Sequence, residues 1–163
     1  KGADDFSGAL RVAAFKGHLV LVDYFSQKVE EQYAILDAAR GGHRELVEYL
    51  AKKQQPDDWS LVFSEAVYGG HKQLAEHILN VYQPDLERPL PINWFRPLYG
   101  AAKTGDQVFV DWIIQLGAAD WHAGLRGASE RGHKHLVEFF IQKGATYFVP
   151  AIQNAAEINN MEI

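Results

Sequence analysis

The chain of 163 residues is 47% hydrophobic, and its formal net charge is -5. This balance is typical of a folded protein and argues against nucleic-acid binding, since nucleic-acid-binding proteins usually carry an excess of Lys and Arg. The sequence contains no Cys, which excludes disulfides and thiolate metal sites. No run approaches the roughly 18 consecutive apolar residues of a membrane-spanning helix, so we expect no membrane partner.

One pattern of side chains recurs five times along the chain and divides it into repeats. Each repeat is centred on a turn glycine, and these are Gly17, Gly42, Gly70, Gly105 and Gly132. Counting from this glycine, position -4 is always Ala, and large apolar residues occupy positions -7, +4 and +8. Such spacings predict a helix on each side of the glycine, which can adopt the positive φ of a tight turn.

The predicted fold is all-α, an α-solenoid of stacked helix-turn-helix repeats with no sheet. We expect a right-handed array of five helix pairs plus one further helix, in a single domain that spans residues 1–163. The repeats cover about residues 4–28, 29–56, 57–91, 92–118 and 119–145, and a partial sixth repeat covers 146–163. The third repeat is the longest because a segment with three prolines is inserted at 80–93, which predicts a stiff, non-helical connection.

The invariant alanine at position -4 indicates close packing between helices. A larger side chain there would overpack the core, so we expect Ala38→Leu to cost about 1–3 kcal/mol. Arg40 is placed by the same helical phase on the exposed side, where Arg40→Leu should change stability by no more than about 0.5 kcal/mol.

Two stretches carry a resemblance to a known family. They are Ala-Ala-Arg-Gly-Gly-His-Arg-Glu-Leu-Val-Glu-Tyr-Leu (38–50) and Gly-His-Lys-His-Leu-Val-Glu-Phe-Phe-Ile-Gln-Lys-Gly-Ala (132–145), and they resemble the ankyrin repeat. The usual Thr-Pro-Leu-His opening is nearly lost. Most repeats are also shorter than the usual 33 or so residues, which implies short or absent β-hairpin fingers.

The resemblance implies a non-enzymatic protein–protein interaction module with a concave binding surface and no cofactor. Short repeats with Asp-Trp and Gly-Gly-His also resemble the ankyrin arrays of large DNA viruses. That narrower resemblance implies a viral protein that engages a host factor, in the cytoplasm of the host. We expect a protein partner, no nucleic acid, and a monomer unless the chain is part of an assembly.

The turn histidines raise the question of a metal site. Equivalent positions in stacked helix pairs lie roughly 8–10 Å apart, whereas a zinc ion needs several ligands within about 2 Å of one point. We therefore predict no metal site, and a structural role for His18, His43, His71 and His133 in hydrogen bonds to backbone groups. The sequence contains no phosphate-binding glycine loop, nucleophile elbow or His-Glu-x-x-His motif, so it predicts no enzyme.

The positions most free to vary are -6, -5 and -2, which we expect to face the partner. The predicted binding residues are Arg11, Phe15, Leu36, Arg40, Glu65, Tyr68, Tyr99, Lys103, Arg126 and Glu130. The same positions include Val12, Asp37, Ser64, Gly100 and Gly127. Acidic residues among them offset the basic ones, so we expect a face that is not strongly basic.

Two alternatives stay open from the sequence. The inserted segment offers a second binding site at Leu86, Arg88, Leu90 and Ile92, on a backbone that loses little entropy on binding. For the function itself, the chain could be a structural component of a larger assembly; an enzyme scaffold is the less favoured third reading.

Overall fold

The computed structural model describes residues 5–29, 33–56, 58–82 and 92–146, and within these ranges it contains ten α-helices and no strand. For the described residues, the prediction of an all-α fold is thereby confirmed. The further helix predicted after residue 146 falls outside the described ranges. The segment 80–93 was predicted to be non-helical throughout, but the helix before it continues to Tyr82. The helices are α1 (Phe6–Phe15), α2 (Leu19–Ser26), α3 (Ala34–Gly41), α4 (Arg44–Gln54), α5 (Trp59–Tyr68), α6 (Lys72–Tyr82), α7 (Phe95–Lys103), α8 (Gln107–Gln115), α9 (Trp121–Glu130) and α10 (Lys134–Gln142).

The chain divides into two compact units, Lys1–Pro84 and Asp85–Ile163. Each repeat supplies a first helix, with an odd number, and a second helix, with an even number. In the first unit α1 contacts α3 and α3 contacts α5, while each first helix also contacts its own second helix. In the second unit α7 contacts α9, and the pairs α7–α8 and α9–α10 are in contact. First helices therefore lie side by side within each unit.

The turn between the two helices of a repeat has the conformation that its sequence predicts. All five turn glycines have positive φ, between 71° and 85°. In repeats 1, 2, 3 and 5 the N–H of the next residue donates to the carbonyl of the alanine at -4, as in the 3.0 Å bond from His43 to Ala38. This bond, together with the left-handed glycine, forms the Schellman motif that ends many helices.

The aspartate in front of an aromatic residue marks the start of a first helix. Asp5, Asp58 and Asp120 each accept a hydrogen bond from a backbone N–H in the first turn of α1, α5 and α9. Such a cap stabilises a helix by about 1 kcal/mol. The aromatic residue that follows is half-buried, and Trp59 stacks on Tyr82 with 3.8 Å between the ring centres.

The alanines at -4 and the large apolar residues at -7 are buried in all five repeats. Position +4 is buried in four repeats, but Leu21 in repeat 1 is 46% exposed, whereas its equivalent Leu46 is 3% exposed. Repeat 2 packs against the repeat before it, and the described part of the chain supplies no such neighbour for repeat 1. Over the same ranges, no helix combines the length and apolar character needed to cross a membrane.

Candidate protein-interaction face

The histidine after the turn glycine joins its repeat to the one before it. Nε2 of His43 lies 2.9 Å from the carbonyl oxygen of Phe15, and Nε2 of His71 lies 3.0 Å from that of Arg40. His133 makes the equivalent 3.0 Å contact with the carbonyl of Lys103. All three acceptors occupy position -2 of the preceding repeat. The predicted backbone hydrogen bond is therefore present for His43, His71 and His133, with its acceptor in the neighbouring repeat, but His18 makes no such bond among the described residues.

Glycines in the turns make room for this contact. A Cβ on Gly41 would lie 2.2 Å from the carbonyl oxygen of Phe15, and a Cβ on Gly17 would lie 2.5 Å from Nδ1 of His43. In repeat 4 the histidine is replaced by Asp106, whose side chain accepts a 3.1 Å hydrogen bond from a backbone N–H of α8. Within the described ranges, no three His, Asp or Glu side chains are grouped closely enough to hold a metal ion.

Ion pairs run across the first helices of the first unit. Arg11 donates from Nε to Oδ2 of Asp37 at 2.7 Å, and Arg40 donates from Nε to Oε2 of Glu65 at 2.6 Å. Nη1 of Arg40 also lies 3.9 Å from Oδ1 of Asp37. We call Arg11, Asp37, Arg40 and Glu65 the ion-pair ladder. The guanidinium of Arg40 lies 5.8 Å from the ring centre of Tyr68, so the ladder brings together four of the predicted binding residues.

Position -5 was expected to be exposed, but it is largely buried. Asp37, Gly100 and Gly127 are buried, and so is Ser64 at position -6; of the -5 residues only Val12 is largely exposed. The reason is that -5 faces the preceding first helix. A Cβ on Gly127, for example, would lie 2.2 Å from the carbonyl oxygen of Tyr99. The open surface of the first helices is therefore formed mainly by positions -6 and -2.

The charges of the ladder differ in how far they reach solvent. The side chains of Asp37 and Glu65 are only 8% and 12% exposed, whereas those of Arg11 and Arg40 are 53% and 33% exposed. The carboxylates thus lie beneath the guanidinium groups. Acidic residues of the ladder offset its basic ones in formal charge, and the groups that reach furthest into solvent are the guanidinium groups.

A groove opens beside the ladder on α1 and α3, with a volume of about 550 Å³. It is lined by Gly8, Arg11, Val12, Phe15, Lys16, Asp37 and Arg40. The sequence analysis did not single out Lys16, at position -1. Its signal was the contrast with repeats 2 and 3, where the position directly before the turn glycine is itself glycine, Gly41 and Gly69.

A second cluster, in the other unit, contains Tyr99, Lys103, Arg126 and Glu130. Nζ of Lys103 lies 2.8 Å from Oε1 of Glu130, and the hydroxyl of Tyr99 donates to the same carboxylate. The cationic groups of Lys103 and Arg126 lie 5.1 and 5.8 Å from the ring centre of Tyr99. Burial raises the pKa of Glu130, but the hydrogen bonds from Lys103 and Tyr99 outweigh it and hold this pKa below its usual range.

The remaining predicted residues lie elsewhere. Leu36 lines a separate cavity of about 230 Å³ together with Tyr33 and Leu61, away from the groove. Of the alternative site on the inserted segment, Ile92 is half-buried, and Leu86, Arg88 and Leu90 lie outside the described residues.

A comparison with protein-family models returns no match, and a comparison with curated proteins returns no significant match. The case for a function therefore rests on the geometry of the chain's own side chains.

Proposed function

We propose that the chain is a protein-interaction module of the ankyrin-repeat type, and that it binds a protein partner with the side chains of its first helices. One observation carries the proposal: Arg11, Arg40 and Tyr68, from three successive repeats, are held together by ion pairs and a ring contact. Side chains that are fixed before binding lose little entropy when a partner arrives. Arg and Tyr are also enriched among the residues that dominate binding energy.

The solenoid part of the proposal is supported by the way in which the repeats pair. The first helices lie side by side within each unit, and three turn histidines connect one repeat to the next. Stacked helix pairs of this kind present the first helices as one extended surface whose side chains are free to vary. The resemblance of the turn sequences to the ankyrin repeat supports the same arrangement.

A binding role is also supported over a catalytic one. The turn histidines are the residues that favoured an enzyme. Three of them contact backbone carbonyls through Nε2, which is the behaviour of structural side chains. The ladder carboxylates, in turn, are already bonded to guanidinium groups, so they are poorly placed to exchange protons with a substrate.

The test is affinity purification with the full chain from the cell type in which it is expressed, followed by measured affinities. The double variant Phe15→Ala with Tyr68→Ala should lose the partner. The control is Tyr24→Ala with Tyr33→Ala, which removes two exposed aromatic rings from other surfaces of the same unit. Unchanged binding by the first variant, or an equal loss from both, would rule out the first-helix face.

A third variant separates this face from the inserted segment. Shortening residues 84–91 to the length of the neighbouring connections should leave the affinity unchanged. If only the shortened chain fails to bind, the inserted segment is the binding site and the first helices are not.

A further inference from the structure

We propose that the groove on α1 and α3 accepts an acidic segment of the partner, in which a carboxylate lies next to an apolar side chain. The inference rests on the proposed function, because it specifies the chemistry of the partner that the same face binds. Two properties of the groove carry it: the sign of the charge that reaches solvent, and the apolar side chains beside that charge.

The outward charge of the groove is positive although the chain as a whole has a formal net charge of -5. Arg11, Lys16 and Arg40 line the groove, and among the described residues Asp37 is the only carboxylate in its lining. Asp37 and Glu65 are nearly buried and pair with the two arginines, so the positive charge that a ligand meets comes from the exposed Lys16 and from the exposed sides of Arg11 and Arg40. A carboxylate that enters the groove therefore meets guanidinium and ammonium groups, which attract it and fix its register.

The same groove offers an apolar surface. Val12 and Phe15 line it and are exposed, and Nζ of Lys16 lies 5.5 Å from the centre of the Phe15 ring. An apolar side chain of the partner can cover Val12 and Phe15 while an adjacent carboxylate reaches Lys16 or an arginine. The volume of about 550 Å³ falls within the roughly 300–1,000 Å³ of typical ligand pockets, which suits a short peptide segment.

A peptide fits the groove better than a nucleic acid does. Nucleic-acid sites neutralise many successive phosphates with a long basic surface, whereas the groove lining holds three cations, Arg11, Lys16 and Arg40, and two of them are already paired with carboxylates. Val12 offers a nucleic-acid backbone no hydrogen bond, but it gives a Leu or Phe side chain of a peptide a contact that excludes water.

The partner chemistry can be read from a peptide selection. A displayed library of short random peptides is selected on the full chain at near-physiological salt. We expect the enriched sequences to contain Asp or Glu beside Leu, Phe or Tyr. Enrichment of Lys or Arg, or no enrichment above an uncoated surface, overturns the inference.

Variants then locate the binding. Lys16→Glu should weaken the best selected peptide about five- to tenfold, and Phe15→Ala should weaken it about tenfold or more. The matched control is Lys28→Glu. Lys28 is also an exposed lysine beside an aromatic ring, with Nζ 5.7 Å from the ring centre of Tyr24. The Lys28→Glu variant should change the affinity by no more than about twofold, because an exposed charge outside the groove is screened. Equal losses of affinity in Lys16→Glu and Lys28→Glu would show that the peptide does not bind in the groove.

Two further measurements separate this inference from the proposed function. If the purified partner needs Phe15 and Tyr68 but the acidic peptide does not displace it, the inference fails and the proposed function stands. If the partner is insensitive to both residues, the proposed function fails as well. Binding of a fluorescent single-stranded DNA that is lost in Lys16→Glu would overturn the inference in favour of a nucleic-acid ligand.

Discussion

The contact between a turn histidine and the preceding repeat can be tested with a matched pair of variants, His43→Ala and His18→Ala. Both histidines follow a turn glycine and precede a second helix. His43 contacts the carbonyl of Phe15 at 2.9 Å and packs its ring against Gly17. The exposed ring of His18 has no hydrogen-bond partner among the described residues.

The magnitude follows from what each variant removes. One hydrogen bond makes a net contribution of about 0.5–1.5 kcal/mol to stability, and the ring of His43 adds packing against Gly17. We therefore expect His43→Ala to lower the free energy of unfolding by about 1–2 kcal/mol. His18→Ala removes neither interaction and should stay within about 0.5 kcal/mol of the parent chain.

The assay is urea denaturation followed by circular dichroism, with amide hydrogen exchange of α1 as a second readout. His43→Ala should lower the midpoint and speed exchange in α1, since it loosens repeat 1 from repeat 2. Equal costs for the two variants would refute the reasoning, because the histidine would then act only within its own turn.

Three further predictions concern the core, the ladder and the Tyr99 cluster. Ala38→Leu should destabilise the chain by about 1–3 kcal/mol through overpacking, measured by urea denaturation. Arg40→Leu should also cost about 1–3 kcal/mol, because it removes the guanidinium from a nearly buried Glu65, and Glu65→Leu in the same chain should recover part of that loss. The pKa of Glu130 is held below its usual range, so its carboxylate contributes stability above its ordinary pKa, and this is lost as pH falls through the lowered value. Melting temperatures should therefore show Glu130→Gln to be destabilising near neutral pH, and its difference from the parent chain should shrink as the pH falls through the lowered pKa.

Each of these predictions has a control and a contradicting result. The exposed Ala119 should accept Leu without cost, so an equal loss there would contradict the overpacking argument. Arg126 is an exposed arginine outside the ladder, and an equal cost for Arg126→Leu would mean that the ladder adds nothing. A Glu130→Gln effect that is constant between neutral and acid pH would show that the carboxylate charge is not responsible.

The sequence predicted the helix pairs and their turns well. The reason is that the turn glycine and the alanine at -4 have strict local requirements, a positive φ and the absence of a large side chain. Both show in the structure, for example at Gly42 and Ala38. His18 could not be distinguished from the three turn histidines that contact the preceding repeat. The acceptor of each such contact lies in another repeat, so the local sequence does not show whether it is present.

The sequence was a poor guide to the charges. Asp37 and Glu65 look like solvated surface residues, since buried carboxylates are rare. Whether a charge at -5 is buried depends on the helix alongside it, and that helix is supplied by another repeat. The expected effect of Arg40→Leu on the stability of the chain changes for the same reason, because its partner Glu65 lies 25 residues further along the chain.

The most direct test of the central claim is hydrogen exchange of the full chain with and without its purified partner. We expect slower exchange in the first helices α1, α3 and α5, and unchanged exchange in the second helices α2, α4 and α6. Protection confined to the second helices, or to the inserted segment at residues 80–93, would contradict the first-helix binding face.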